Sequence, residues 1–279
     1  MSSDFILWQL VDSALPTGGF AHSSGLESAW QHGEVRNRTE LGAFIEASVS
    51  QLGEAALPFV LAAYDRPEEL DEIDKLCHAF TTNHVANRAS RAQGMAFLNV
   101  IKAVFTRTRN ARPEGTAERV GRSPAVPSGI VLFAGNPCVE TPGYSRDIPA
   151  GTKTRPQDYP LPAALLEPGI PSRQTELEPP RGHFAPVLGA SLRQLGISRE
   201  TAARMFFFGH LRGVLAAAVR LNIVGPMEAQ KLQRAMTPMM DEVMNRCVAL
   251  GLDDIAQPAP LLDLWQAAQE RLYSRLFQS

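Results

Sequence analysis

Residues 198–224, SRETAARMFFFGHLRGVLAAAVRLNIV, decide the fold. Ser198 reads as a helix N-cap, because a Ser side-chain oxygen can accept from the orphan amides of a first turn. The run is closed by Gly225-Pro226, a pair that ends one helix and begins the next. Between them apolar residues fall on nearly every face, the mark of a helix buried all round. Gly209, Gly213 and Ala217 recur at every fourth position, so they are expected to line one face and admit a second helix backbone, either in the core or across a dimer. GHLRG also matches the small-residue pattern of membrane-helix pairs. Arg204, His210 and Arg212 interrupt the apolar residues well short of the roughly 20 needed to cross a bilayer. The expectation is the central helix of a soluble all-α domain, with no membrane partner.

Upstream of it, HFAPVLGASLRQLG at 183–196 reads as a helix stopped by Gly196. Downstream, Pro226 is expected to start one helix and Pro238 a second. The end of the chain, PAPLLDLWQAAQERLYSRLFQS, is an amphipathic run followed by an Arg-aromatic tail. Toward the N-terminus, 4–13 reads as a short helix carrying Phe5, Ile6, Trp8 and Leu10. Asn37 with Glu40 makes a capping-box-like start, and Pro58 should kink or split the helix that follows. Pro67 sits in the first turn of a helix carrying Ile73, Leu76, Cys77 and Phe80 at helical spacing. A further helix over 83–106 has Arg88, Arg91 and Gln93 on its polar side and Phe97, Leu98 and Val100 on its apolar side.

Residues 107–182 differ in kind. This stretch of 76 holds 13 of the 21 prolines and 8 of the 21 glycines. That is the composition of unstructured or low-complexity segments, and its one apolar run, at 130–134, is short and flanked by glycines. The chain is therefore divided into one helical-bundle-like domain in two halves, 1–106 and 183–279, with a long Pro/Gly-rich, disordered insertion between them.

A length of 279 residues, 44% hydrophobic and 20% charged, is that of a globular protein. The net charge of −2 argues against nucleic acid as a partner. Three scattered cysteines, Cys77, Cys138 and Cys247, imply no disulfide framework. MSSDFILWQLVDS has no basic n-region, so a cytoplasmic location is expected.

Little catalytic chemistry is visible. Gly18-Gly19, within ALPTGGFAHSSGLE, could cradle a phosphate, but no G-x-x-x-x-G-K-[ST] occurs, and a tight turn that packs two helices is the preferred reading. There is no H-E-x-x-H or C-x-x-C. His78 and His84 with Cys77 make at most a weak soft-metal set, and Cys77 reads better as a small buried hydrophobe. No metal residue is assigned. No G-x-S-x-G elbow anchors a triad. A helical binding protein is favoured over an enzyme.

Four stretches taken together carry a resemblance: VDSALPTGGFAHSSGLE at 11–27 (with Val11 where the pattern has Leu), NRASRAQG at 87–94, APVLGASLRQLGIS at 185–198 running into the central helix and NIVGPMEAQ, and LYSRL at 272–276. The set resembles the UreF family of urease accessory proteins. The resemblance implies an all-α, dimeric, non-catalytic co-chaperone that bridges UreD (UreH in some organisms) and the GTPase UreG during nickel insertion into apo-urease. It implies no directly bound cofactor, with nickel handled by the complex. It maps UreD/UreH docking onto Leu272, Tyr273, Arg275 and Leu276, in a free tail that orders on binding. The assembly surface would comprise Pro16, Gly18, Gly19, Phe20, His22, Ser23, Gly25 and Glu27. The Pro/Gly-rich stretch is longer than the family's usual connection. The competing readings are a helical scaffold without a urease partner and a nucleotide-binding enzyme using Gly18-Gly19.

Overall fold

The computed structural model describes residues 3–105 and 182–278. The expected insertion at 107–182 lies outside the described residues apart from Gly182, as do the run at 130–134 and Cys138. Among the described residues all regular structure is helical. The helices are α1 (Ser3–Val11), α2 (Leu26–Gln31), α3 (Arg38–Gln51), α4 (Leu57–Asp65), α5 (Leu70–Phe80), α6 (His84–Val100), α7 (Phe184–Gln194), α8 (Arg199–Arg220), α9 (Pro226–Cys247) and α10 (Pro260–Ala268).

Local chemistry sets most of their ends. Asn37 Oδ1 accepts from the amides of Thr39 and Glu40, and Ser198 Oγ from that of Thr201. Glu40 reaches one residue beyond a capping box, accepting from the Arg36 amide at 2.6 Å. Asn83 caps α6 in the same way, through Val85 and Ala86. Gly196, at φ +73°, ends α7 in the left-handed region.

Three ends differ from expectation. α8 stops at Arg220, short of Gly225: Asn222 just beyond it takes φ +57°, its amide bonds to the Val219 carbonyl, and the Ile223 amide bonds to the Ala218 carbonyl, both at 3.0 Å. This is a Schellman closure with Asn in the place of Gly. Pro238 does not start a helix but lies within α9. Pro238 and Arg234 are both exposed, so water can take the bond that the proline cannot donate. The break near Pro58 comes earlier, in a π-turn at Leu52–Ala56, and Pro58 occupies the first turn of α4.

α7 is a largely enclosed helix. It packs on α4, α5 and α6, and buries Ala185, Val187, Leu188 and Leu192. Val187, Leu188 and Leu192 each contribute about 1.5–3 kcal/mol on removal from water, as much as or more than a typical cap of about 1 kcal/mol. Its contacts are close because of glycines: a Cβ on Gly189 would run into the Val60 carbonyl of α4, and one on Gly94 of α6 into the Gly182 carbonyl. α8 is buried on one side only, through residues such as Phe207, Leu211 and Leu215, and is not buried all round as its composition suggested. By length and hydropathy it could cross a membrane, but half of that window is buried inside the protein. Leu76, expected on the inner face of α5, is 42% exposed. Asp74 takes the inner position instead, because its carboxylate accepts from the amides of Gly182 and His183 at 3.1 and 2.7 Å.

Candidate functional site

The glycine-rich turn and the C-terminal tail, read separately in the sequence, meet in the structure. The turn needs three left-handed positions, at Gly18 (φ +71°), Ser24 (+55°) and Gly25 (+86°). Gly25 is constrained twice, since a Cβ there would lie 3.0 Å from the Gln266 amide nitrogen of α10. This close approach sets α10 against the start of α2. From α10 a single 3-10 turn, Gln269–Arg271, returns the chain as an extended tail across the turn.

Glu27, in the first turn of α2, is only 1% exposed. Its Oε1 accepts from the Leu276 amide at 2.6 Å, and its Oε2 from the Phe277 amide at 3.1 Å and from Gln269 Nε2 at 2.5 Å. A buried carboxylate is tolerable only when satisfied in this way. Arg220, in the last turn of α8, completes the clamp. It donates to the carbonyls of Phe20 (2.8 Å) and Leu276 (3.3 Å), and its guanidinium lies 4.3 Å from the centre of the Phe277 ring. The Gln278 amide bonds to the Ala21 carbonyl at 2.8 Å, and Gln31 Nε2 to the Ser274 carbonyl at 2.9 Å.

The tail is therefore not free but docked on its own chain. Phe277 turns inward, while Tyr273, Leu276 and Phe20 face solvent, Tyr273 completely. Arg275 is also exposed and Leu272 half-buried. One guanidinium joins the backbones of Phe20 and Leu276, so their exposed side chains rise from neighbouring strands of chain. Of the remaining turn residues, Pro16 is exposed, Gly18 and Gly19 are half-buried, and Ser23 is buried. His22 is half-buried, and burial together with the nearby Arg88 charge lowers its pKa.

Gly209 and Gly213 have no atom of the described residues within 4 Å of a notional Cβ, so neither makes a close helix contact there. Ala217 is buried. A 3.6-residue repeat rotates a four-residue series by about 40° per step, which carries Ala217 away from the glycine face. His210, beside them, contacts Ser48 Oγ at 2.5 Å, and burial pushes its pKa down to about 4.

Cys77 and Cys247 are buried free thiols, and burial drives that of Cys77 up to about 12. Among the described residues no three His, Cys, Asp or Glu side chains gather as a metal site. Sequence reasoning missed Arg220, Gln269, Gln31 and Phe277. Phe277 carried a signal, as the one aromatic beyond LYSRL.

The UreF family model matches residues 35–237. Urease accessory protein F of Arabidopsis thaliana is 31% identical over 274 residues, covering 98% of this chain and 91% of that protein. Its namesake in Oryza sativa subsp. japonica is 31% identical over 272 residues, covering 97% and 83%. Urease accessory protein UreF 1 of Brucella melitensis is 28% identical over 275 residues, covering 98% and 91%.

Proposed function

This chain belongs to the UreF family, and on that premise we propose that it is a non-catalytic bridge in urease maturation, joining a UreD/UreH homologue to the GTPase UreG so that nickel can enter apo-urease. Its role is that of an accessory protein acting with other urease accessory proteins. The finer reading is carried by one observation: Glu27 and Arg220 hold the tail so that Tyr273 and Leu276 are presented outward beside Phe20. A preordered aromatic and aliphatic pair loses little entropy on docking and is of the type that anchors interfaces. The UreD/UreH homologue is assigned to this patch. The open Gly209–Gly213 face of α8 is assigned to a second copy of the chain. Nickel passes through the assembly, in the cytoplasm, without a resident site on this subunit.

Tyr273→Ala with Leu276→Ala is the clean test, because neither side chain makes an intramolecular bond described above. Co-purification of the full chain with its host's UreD/UreH homologue should succeed for the wild type and fail for the double variant. Loss of the complex only when the chain is cut before Leu272 would move the anchor to the tail backbone. Wild type that fails to bind removes the bridge reading.

A further inference from the structure

NRASRAQG is left unused by the tail-and-turn site. It lies on α6, where His84, Asn87, Arg88 and Arg91 fall at steps of three and four and so share a face. With His78, Thr81 and Thr82 they line a cleft of about 880 Å³. None of its described lining residues carries a carboxylate. Asp74 on α5, which carries His78 of the lining, is engaged by the Gly182 and His183 amides.

Two observations identify the chemistry the cleft takes. First, one carboxylate already sits at its rim: Glu270 Oε2 lies 2.7 Å from His84 Nε2, and Oε1 lies 2.6 Å from an Arg88 nitrogen. These two bonds hold the Glu270 carboxyl below its ordinary pKa. Second, Arg91, one turn further along, has a buried Nε–H with no hydrogen-bond partner among the described residues. A guanidinium N–H shut away from water without an acceptor is unfavourable, and its best complement is an oxyanion. The lining side chains run from His84 to Met95 on α6, about 16 Å of helix. That is longer than one small carboxylate and suits an extended segment.

We propose that the α6 cleft binds carboxylate side chains of an acidic segment on a partner protein, with Glu270 as an internal competitor for Arg88 and His84. The proposal goes beyond the tail's role and does not depend on which protein the tail engages. Glu270 stands next to Gln269, which bonds Glu27, so an incoming carboxylate that displaces it acts on the residue adjoining the tail's anchor.

The full chain is titrated into a fluorescein-labelled Gly-Asp-Glu-Glu-Asp-Gly peptide and binding is read by anisotropy at low and moderate salt. Arg91→Gln should weaken binding about fivefold, and Glu270→Gln should tighten it by about threefold, whereas Lys231→Gln on α9 should leave it unchanged. A gain from Glu270→Gln cannot come from misfolding. Equal weakening by the Arg91 and Lys231 variants would reduce the effect to nonspecific charge and overturn the proposal. So would an Arg91 variant that binds like wild type, or no binding at all. Displacement of the peptide by inorganic phosphate at concentrations where acetate is inert would reassign the cleft to phosphoryl groups.

Discussion

Two pairs of glycines separate what the chain completes by itself from what it leaves open. Gly94 and Gly189 lie where α6 and α4 meet the chain at and around α7, and neighbouring backbone carbonyls fill the space a side chain would take. Gly209 and Gly213 lie on α8 with no described atom within 4 Å of where a side chain would start. The residue type and helical setting are the same, but the first pair is already used by the fold and the second is not. Small residues at helical spacing therefore mark close approach only when the partner surface is known.

Gly189→Ala should test that contrast most severely. Its Cβ meets backbone, which cannot step aside, so unfolding in urea should show a loss of about 4 kcal/mol or more. A loss under about 1 kcal/mol would mean that α4 and α7 can separate freely. Next in size is Glu27→Ala, which strands two amides and Gln269. About 3 kcal/mol should be lost, with faster hydrogen exchange at Leu276 and Phe277 while the α7 amides stay protected.

The pH response is smaller. His183 is held down to about 4 by burial, opposed by Asp74 and aided by His78 and Arg91, with Ser90 also in contact. His210 is at about 4 through burial alone. The unfolded chain takes up these protons first, so stability falls as pH drops from 6.5 toward 4, by about 2 kcal/mol per histidine. His210→Gln should flatten its share of that slope in thermal melts across the window.

The smallest effect has the opposite sign. Gly209→Ala and Gly213→Ala should each stabilise the single chain by about 0.5–1 kcal/mol through helix propensity. Bulkier replacement there, such as Gly213→Leu, should leave folding intact and abolish self-association in sedimentation. A melting point lowered by several degrees would show that the face is occupied within the chain.

Much of this fold was legible because its signals are local. Asn37, Ser198 and Gly196 each act within one turn, and the fourfold set of motifs marks the family. Pro238 misled because the breaking rule neglects solvent, which can satisfy the freed carbonyl. Asn222 ended α8 because Asn tolerates the left-handed region that the reading reserved for Gly225. The candidate site was half legible. Glu27 and Leu276 were both singled out, but a Glu in a helix reads as solvated, and nothing nearby announces that amides 249 and 250 residues away will satisfy it.

Arg220 and the open glycines belong to one rigid rod. Gly213 and Arg220 are seven residues apart on α8, about 10 Å along its axis, and Arg220 bonds both the turn and the tail. If a partner docks on the tail and a second copy pairs across α8, as proposed, both events engage this one helix. Reciprocity would then make the two events equal creditors: whatever affinity docking lent to pairing, pairing would have to lend back to docking.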